Sequence, residues 1–215
     1  TFEQVATFES NAEIFLEGYI RSFAIDEAGR VYIAATQPGL VGIYVFNPNG
    51  SYRARFTRHG RGPGEYESIG SIDIYDDKLY LLDPGLQKIG IFSLKDYSHI
   101  KDEVITREKL HESDSLAQIS GINKLYVSDE EEFIIKMKSL PRSRKQASQK
   151  ELFYRLEPDG KIKPGKLLEL RGLTYYFPPK GEVATPMIMP FHRSDLVSVT
   201  KGGDFFIQRE QNTSW

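Results

Sequence analysis

"HGRGPGEYESIGSIDIYDDKLYLLD", residues 59–83, places four glycines and a proline directly ahead of apolar–polar alternation. Two readings compete: a glycine loop that cradles phosphate, and a hinge between two units of a repeat. A phosphate loop follows a strand and opens a helix, so that the helix N-terminus meets the anion. Here strand alternation follows instead, and no Gly-Lys-Ser/Thr ending is present. The glycines suit positive φ where the outer strand of one unit swings inward to the next. Glu65 is placed to accept backbone N–H bonds there as a buried strap. The stretch reads as a hinge.

Working outward, period-2 alternation broken by turn dipeptides runs through most of the chain. "SFAIDEAGRVYIAA" (22–35) gives two strands around a tight turn, and "GIYVFNPNGSYRARF" (42–56) gives two more, hinged at Asn49-Gly50. After the glycine-rich stretch, "SIDIYDDKLYLLD" (71–83) and "KIGIFSLKDYSHIKDEVI" (88–105) repeat the order. A third unit takes "KLYVSDEEEFIIKMKS" (124–139) as its first hairpin and "ELFYRLEPDGKIKPGKLLEL" (151–170) as its second, around Asp159-Gly160. An alternative phasing matches "NKLYVSD" (123–129) to "DKLYLLD" (77–83). A fourth unit opens with "DLVSVTKGGDFFIQ" (195–208). Four-stranded units at about 40–50 residues predict an all-β fold, a β-propeller of four-stranded antiparallel blades with an incomplete ring. The blades span about 18–57, 70–106, 122–171 and 194–215, the last incomplete, in one partial domain over 1–215. "TREKLHESDSLAQ" (106–118) is the nearest thing to a helix and falls between units.

The composition closes off several classes. Hydrophobic residues make up 40% of the 215, enough for a core, and 28 Lys+Arg against 30 Asp+Glu leave a formal charge of −2. That balance gives no global field for nucleic acid or an anionic membrane. No apolar run reaches the roughly 18 residues that cross a bilayer. With no cysteine there is no disulfide, thiolate metal site or cysteine nucleophile. The chain starts at Thr1 and ends just after a strand-like segment, and so reads as part of something longer.

Gly60 to Tyr66 ("GRGPGEY"), Asp77 to Asp83 ("DKLYLLD") and Lys88 to Phe92 ("KIGIF") resemble NHL-type repeats, and especially the six-bladed propellers of exported, often lipid-anchored bacterial envelope proteins. The resemblance covers 18–105 well and 116–208 loosely. It implies a periplasmic, outer-membrane-anchored or extracellular protein, with a lipid anchor upstream of residue 1. It also implies that 57–70, 106–122 and 171–194, with the loops 36–41, 84–87 and 140–150, share the face around the central channel.

Three stretches on that face carry candidate chemistry. Arg58, His59 and Arg61 join two fixed positive charges to one switchable group, suited to a carboxylate or sulfate; the competing reading is a solvated basic turn. "RGLTYYFPPKGEVATPMIMPFHR" (171–193), the longest connection, holds Tyr175, Tyr176, Phe177, Phe191, His192 and Arg193, whose aromatic faces suit a sugar ring or a peptide. The same aromatics would also serve as a plug between blades. The basic insert with Arg142, Arg144, Lys145 and Lys150 reads as a solvated loop. For a metal enzyme the carboxylate candidates are Asp26, Asp73 and Asp195. Asp26 reads as a turn residue, and His59, His99, His111 and His192 lack ligand spacing. The leading reading is a non-enzymatic envelope propeller that binds a glycan, peptide or partner protein through Arg58, His59, Arg61, Tyr175, Tyr176, His192 and Arg193. It involves no catalytic residue, cofactor, metal or nucleic acid. A metal-dependent lactonase or lyase, completed by further blades, is the alternative.

Overall fold

A computed structural model of the chain describes residues 7, 19–37, 40–106, 119–129, 132–139, 148–157, 159–176, 187–188 and 196–208. The chain divides into two units, Thr1–Ile105 and Thr106–Trp215. Among the described residues there is no helix, and therefore none long and apolar enough to cross a membrane.

In the first unit, β1 (Tyr19–Ile25), β2 (Val31–Gln37), β3 (Leu40–Phe46) and β4 (Tyr52–Phe56) form a four-stranded antiparallel sheet in chain order. Gly29 at φ 76° and Gly50 at φ 85° take the left-handed turn positions that the hairpins require. Two short segments follow, β5 (Arg58–His59) and β6 (Glu65–Tyr66), paired in parallel with each other. The second sheet repeats the first: β7 (Ser71–Tyr75), β8 (Lys78–Asp83), β9 (Lys88–Ser93) and β10 (His99–Val104), each antiparallel to the next.

The two sheets pack face to face. Tyr32, Ala34, Ile43 and Val45 of the first bury against Leu79, Leu81 and Phe92 of the second, with Tyr66 between. The odd positions Ile33 and Ala35, with Tyr44 and Phe46, form a separate cluster on the opposite face. Because β2 and β3 are covered on both faces, "VYIAAT" and "LVGIYVF" read as apolar runs instead of alternating. Each fully buried aliphatic side chain contributes about 1.5–3 kcal/mol. The outer strands β4 and β10 are more exposed than the strands β3 and β9 beside them. The first strands of the two sheets are neighbours, with Ser22 Oγ donating to the Ile72 carbonyl at 3.4 Å. Face-packed sheets with adjacent first strands are the repeat geometry of a β-propeller.

In the second unit, β11 (Ile119–Asp129), β12 (Glu132–Ser139), β13 (Ser148–Leu156) and β14 (Ile162–Tyr176) form the third sheet, to which β15 (Met187–Ile188) adds a fifth strand. The hairpin β16 (Leu196–Val199) and β17 (Phe205–Gln208) packs Val197, Val199, Phe205 and Ile207 against Tyr126, Ile134, Phe153 and Leu170.

Besides 57–70, which holds β5 and β6, and 36–41 and 106–122, whose ends belong to β2, β3 and β11, two further segments expected as loops are partly strand. The insert 140–150 ends early because β13 begins at Ser148, and the connection 171–194 starts late because β14 runs to Tyr176. Cross-strand pairing explains both: Ser148 lies opposite Thr174 and Lys150 opposite Arg171, and the Ser148 and Thr174 hydroxyls hydrogen-bond at 3.1 Å. Gly172 lies close against β13, where a Cβ would sit 3.2 Å from Glu151 Cγ.

Candidate functional site

The glycine-rich connection is densely bonded, both within itself and to the second sheet. It leaves β4 through Thr57, a β-branched residue at φ 68°, whose hydroxyl is buried without a partner. The chain then folds on itself, with Arg58 opposite Glu65 and His59 opposite Tyr66. Gly60 N–H donates to the Tyr66 carbonyl at 3.1 Å and Glu65 N–H to the Gly62 carbonyl at 3.0 Å. The Glu65 carboxylate turns back into the loop. Its Oε2 accepts the Gly62 N–H at 3.0 Å and its Oε1 accepts Arg58 Nε at 2.8 Å. A side chain at Gly60 would overlap that carboxylate, and a Cβ at Gly62 would lie 3.0 Å from it. The Gly62 N–H first, and then the Arg58 charge, hold the Glu65 carboxyl below the usual range.

Two carboxylates of the second sheet then pin the connection down. Asp83, fully buried at the end of β8, accepts five hydrogen bonds. They come from Glu67 N–H (2.7 Å), Ser68 N–H (3.1 Å), Ser68 Oγ (3.0 Å), Gly85 N–H (2.8 Å) and Leu86 N–H (3.0 Å). Asp102 on β10 accepts the Tyr66 hydroxyl at 2.7 Å, Lys88 Nζ at 3.1 Å and Gly64 N–H at 3.3 Å, and faces His99 Nε2 at 2.9 Å. Lys88 Nζ also donates to the carbonyls of Gly62 (3.2 Å) and Glu65 (2.8 Å), and sits 4.3 Å from the centre of the Tyr66 ring. Tyr66 reaches Asp102 by crossing β9 at Gly90, where any Cβ would overlap its hydroxyl.

The electrostatics follow from these contacts. Burial, reinforced by the Asp102 carboxylate, pushes the Tyr66 hydroxyl far above its ordinary range, so it stays a proton donor. Burial alone would raise the Asp102 carboxyl; the bonds from Tyr66, His99 and Lys88 outweigh it and hold the group low. The Asp83 and Asp102 carboxylates, the Lys88 ammonium and the Tyr66 hydroxyl are directed at one another and at the loop backbone, which makes the cluster a fastening, and the hinge reading of 59–70 acquires its physical basis here. The Gly62 N–H and the Arg58 guanidinium do form a seat for an anion, and the chain's own Glu65 fills it.

The other candidates fall in separate places. Arg58 and Arg61 pair with Glu65 (2.8 Å) and Glu67 (2.5 Å), so two positive charges meet two negative ones within the loop. Both arginine side chains remain more than three-quarters exposed, and His59 is exposed beside them. Tyr175 is half-buried near the end of β14, opposite Ile188, and Tyr176 pairs through its backbone with Met187. Phe177, Phe191, His192 and Arg193 lie outside the described residues, as do His111, Asp195, Arg142, Arg144 and Lys145. Lys150 is a strand residue paired with Glu169 at 2.5 Å. Asp26 accepts Arg30 N–H (2.9 Å), Arg30 Nε (2.5 Å) and the Tyr32 hydroxyl (3.0 Å), and so closes the first hairpin. Asp73 Oδ1 accepts the Ile74 N–H at 2.9 Å. Among the described residues no three histidine, aspartate or glutamate side chains converge as metal ligands would. Sequence reasoning missed Asp83, Asp102, Lys88 and Gly90. One signal was available: a glycine inside a strand marks a close approach by another group.

No curated protein matches the sequence. Among solved structures the chain is similar to a protein described as exported from Bacteroides fragilis, at 13% identity and a TM-score of 0.46, over 84% of this chain and 52% of that one. It is also similar to an endo-arabinase from Bacteroides thetaiotaomicron (11% identity, TM-score 0.48, 91% of this chain and 81% of that one). A third likeness is to virginiamycin B lyase from Staphylococcus aureus (12% identity, TM-score 0.43, 90% and 71%). The chain spans about half the length of the first of these. A family model described as a 6-bladed β-propeller matches residues 14–147, more than half of the chain, and the chain belongs to that family.

Proposed function

We propose that the chain is part of a non-enzymatic, NHL-type propeller of the bacterial cell envelope that holds a glycan, peptide or partner protein on its channel face. The observation that supports a binder over a metal enzyme is the use made of the described acidic groups. Asp26, Asp83 and Asp102 are each engaged by three or more donors from the protein itself, which leaves them committed to the fold. The pairing of Arg58 and Arg61 with Glu65 and Glu67 moves the weight of the proposal to the aromatic end of β14, where Tyr175 is half-buried. A partly exposed aromatic ring suits stacking on a sugar or packing on a peptide. His192 and Arg193 remain proposed contacts. Envelope location rests on the resemblance of Gly60 to Tyr66 to exported propellers.

The test is a thermal-shift screen with divalent metals, EDTA, acidic and neutral oligosaccharides and short peptides, since a ligand that binds only the folded state raises the midpoint by mass action. A rise with an oligosaccharide or peptide that is lost in Tyr175→Ala supports the binder. A metal-dependent rise reversed by EDTA supports a lactonase- or lyase-type enzyme and overturns it.

A further inference from the structure

The Glu65 carboxylate is seated as a bound anion would be. The Gly62 N–H donates to it at 3.0 Å, and the Arg58 guanidinium closes one side at 2.8 Å. Gly60 presents bare backbone to it, where a side chain would collide. A backbone N–H and a guanidinium that converge on one point make a concavity suited to an anion, the guanidinium adding charge and direction. The seat is also fixed from outside. Gly62 and Glu65 give their carbonyls to Lys88, and Gly64 gives its N–H to Asp102. The concavity is therefore held by the second sheet as well as by its occupant.

We propose that residues 58–65 form a binding site for one compact carboxylate and that Glu65 is its tethered occupant. Vacated, the site takes a free carboxylate from solution. This inference is independent of the channel-face reading, because it concerns a connection whose chemistry is complete within the first unit. Glu65→Ala removes the occupant and leaves the Gly62 N–H and Arg58 in place.

The experiment is thermal unfolding of the full chain, as wild type, Glu65→Ala, Glu65→Gln and Arg58→Ala/Glu65→Ala, in sodium formate against sodium chloride at matched ionic strength. Glu65→Ala melts below wild type in chloride. Formate at about three times its dissociation constant then raises that midpoint by about 2–3 °C over chloride. Wild type, whose site is full, shows no such difference, and the double variant loses it. Glu65→Gln keeps the side chain's shape and an acceptor oxygen, so it folds in either salt and formate does not shift it. Equal midpoints in formate and chloride for Glu65→Ala overturn the proposal. A formate shift as large in Glu65→Gln or wild type overturns it too, since formate would then be acting elsewhere.

Discussion

Gly90→Ala is expected to destabilise the protein, against the ordinary direction for a glycine in a strand. Gly90 sits inside β9 and is not among the residues at positive φ. On backbone entropy alone, alanine there would gain about 0.5–1 kcal/mol. The structure places the Tyr66 ring directly over it: a Cβ would lie 2.9 Å from Cε1 and overlap the hydroxyl outright. Tyr66 is fully buried, so the ring has no open side to retreat into. Displacing it costs about 1–3 kcal/mol of overpacking. The hydroxyl's 2.7 Å bond to the Asp102 carboxylate is also lost, at about 1.5–3 kcal/mol for a bond to a charged group. The balance is a loss of about 2–5 kcal/mol. Urea unfolding of Gly90→Ala, Tyr66→Phe and the double variant measures it. The double variant should lose less than the sum of the singles, because the hydrogen bond can be broken only once. A Gly90→Ala protein as stable as wild type, or more so, would refute the placement of Tyr66.

Thr57→Gly should stabilise the protein by about 1 kcal/mol in the same assay. It relieves a β-branched residue at φ 68° and removes a buried hydroxyl without a partner, and these gains exceed glycine's entropic cost. Asp83→Asn should lose about 2–5 kcal/mol by urea unfolding. Whichever way the amide turns, its NH₂ faces at least two N–H donors, Glu67 and Ser68 on one side or Gly85 and Leu86 on the other. Asp102 gives a pH dependence. A carboxyl held low in the folded state adds stability above its unfolded pKa of about 3.9, and that stability is lost as pH falls through the lower, folded value. Stability should therefore fall on acidification below about pH 4, and less steeply in Asp102→Asn; an equally steep fall would show that Asp102 is not held low.

The blade pattern was legible because its causes are local. Gly29, Gly50 and Gly160 sit at φ 76°, 85° and 79° in turns that the dipeptides announce, and alternation fixes which face of each strand is buried. Asp26 was readable as a turn residue for the same reason: its partners Arg30 and Tyr32 lie within six positions. Glu65 was readable because Gly62 is three residues away. The fastening was not. Asp102 meets Tyr66 across 36 positions and Asp83 meets Glu67 across 16, and neither spacing has a periodic signature. Gly172 broke the apparent alternation of "RGLTYY", which hid the last turnless stretch of β14. The pairing of Arg58 and Arg61 with Glu65 and Glu67 spans only seven and six positions within one loop, but has no periodic signature either.

The central claim is that the glycine-rich connection is a closed strap fastened by Asp83 and Asp102. Amide hydrogen exchange at Gly62, Gly64, Glu67 and Ser68, with and without inorganic phosphate, tests it most directly. These four N–H groups donate to Glu65, Asp102, Asp83 and Asp83 respectively. The account predicts protection at all four that phosphate leaves unchanged. Exchange at the rate of an unfolded peptide, slowed when phosphate is added, would mean an open cradle and contradict it.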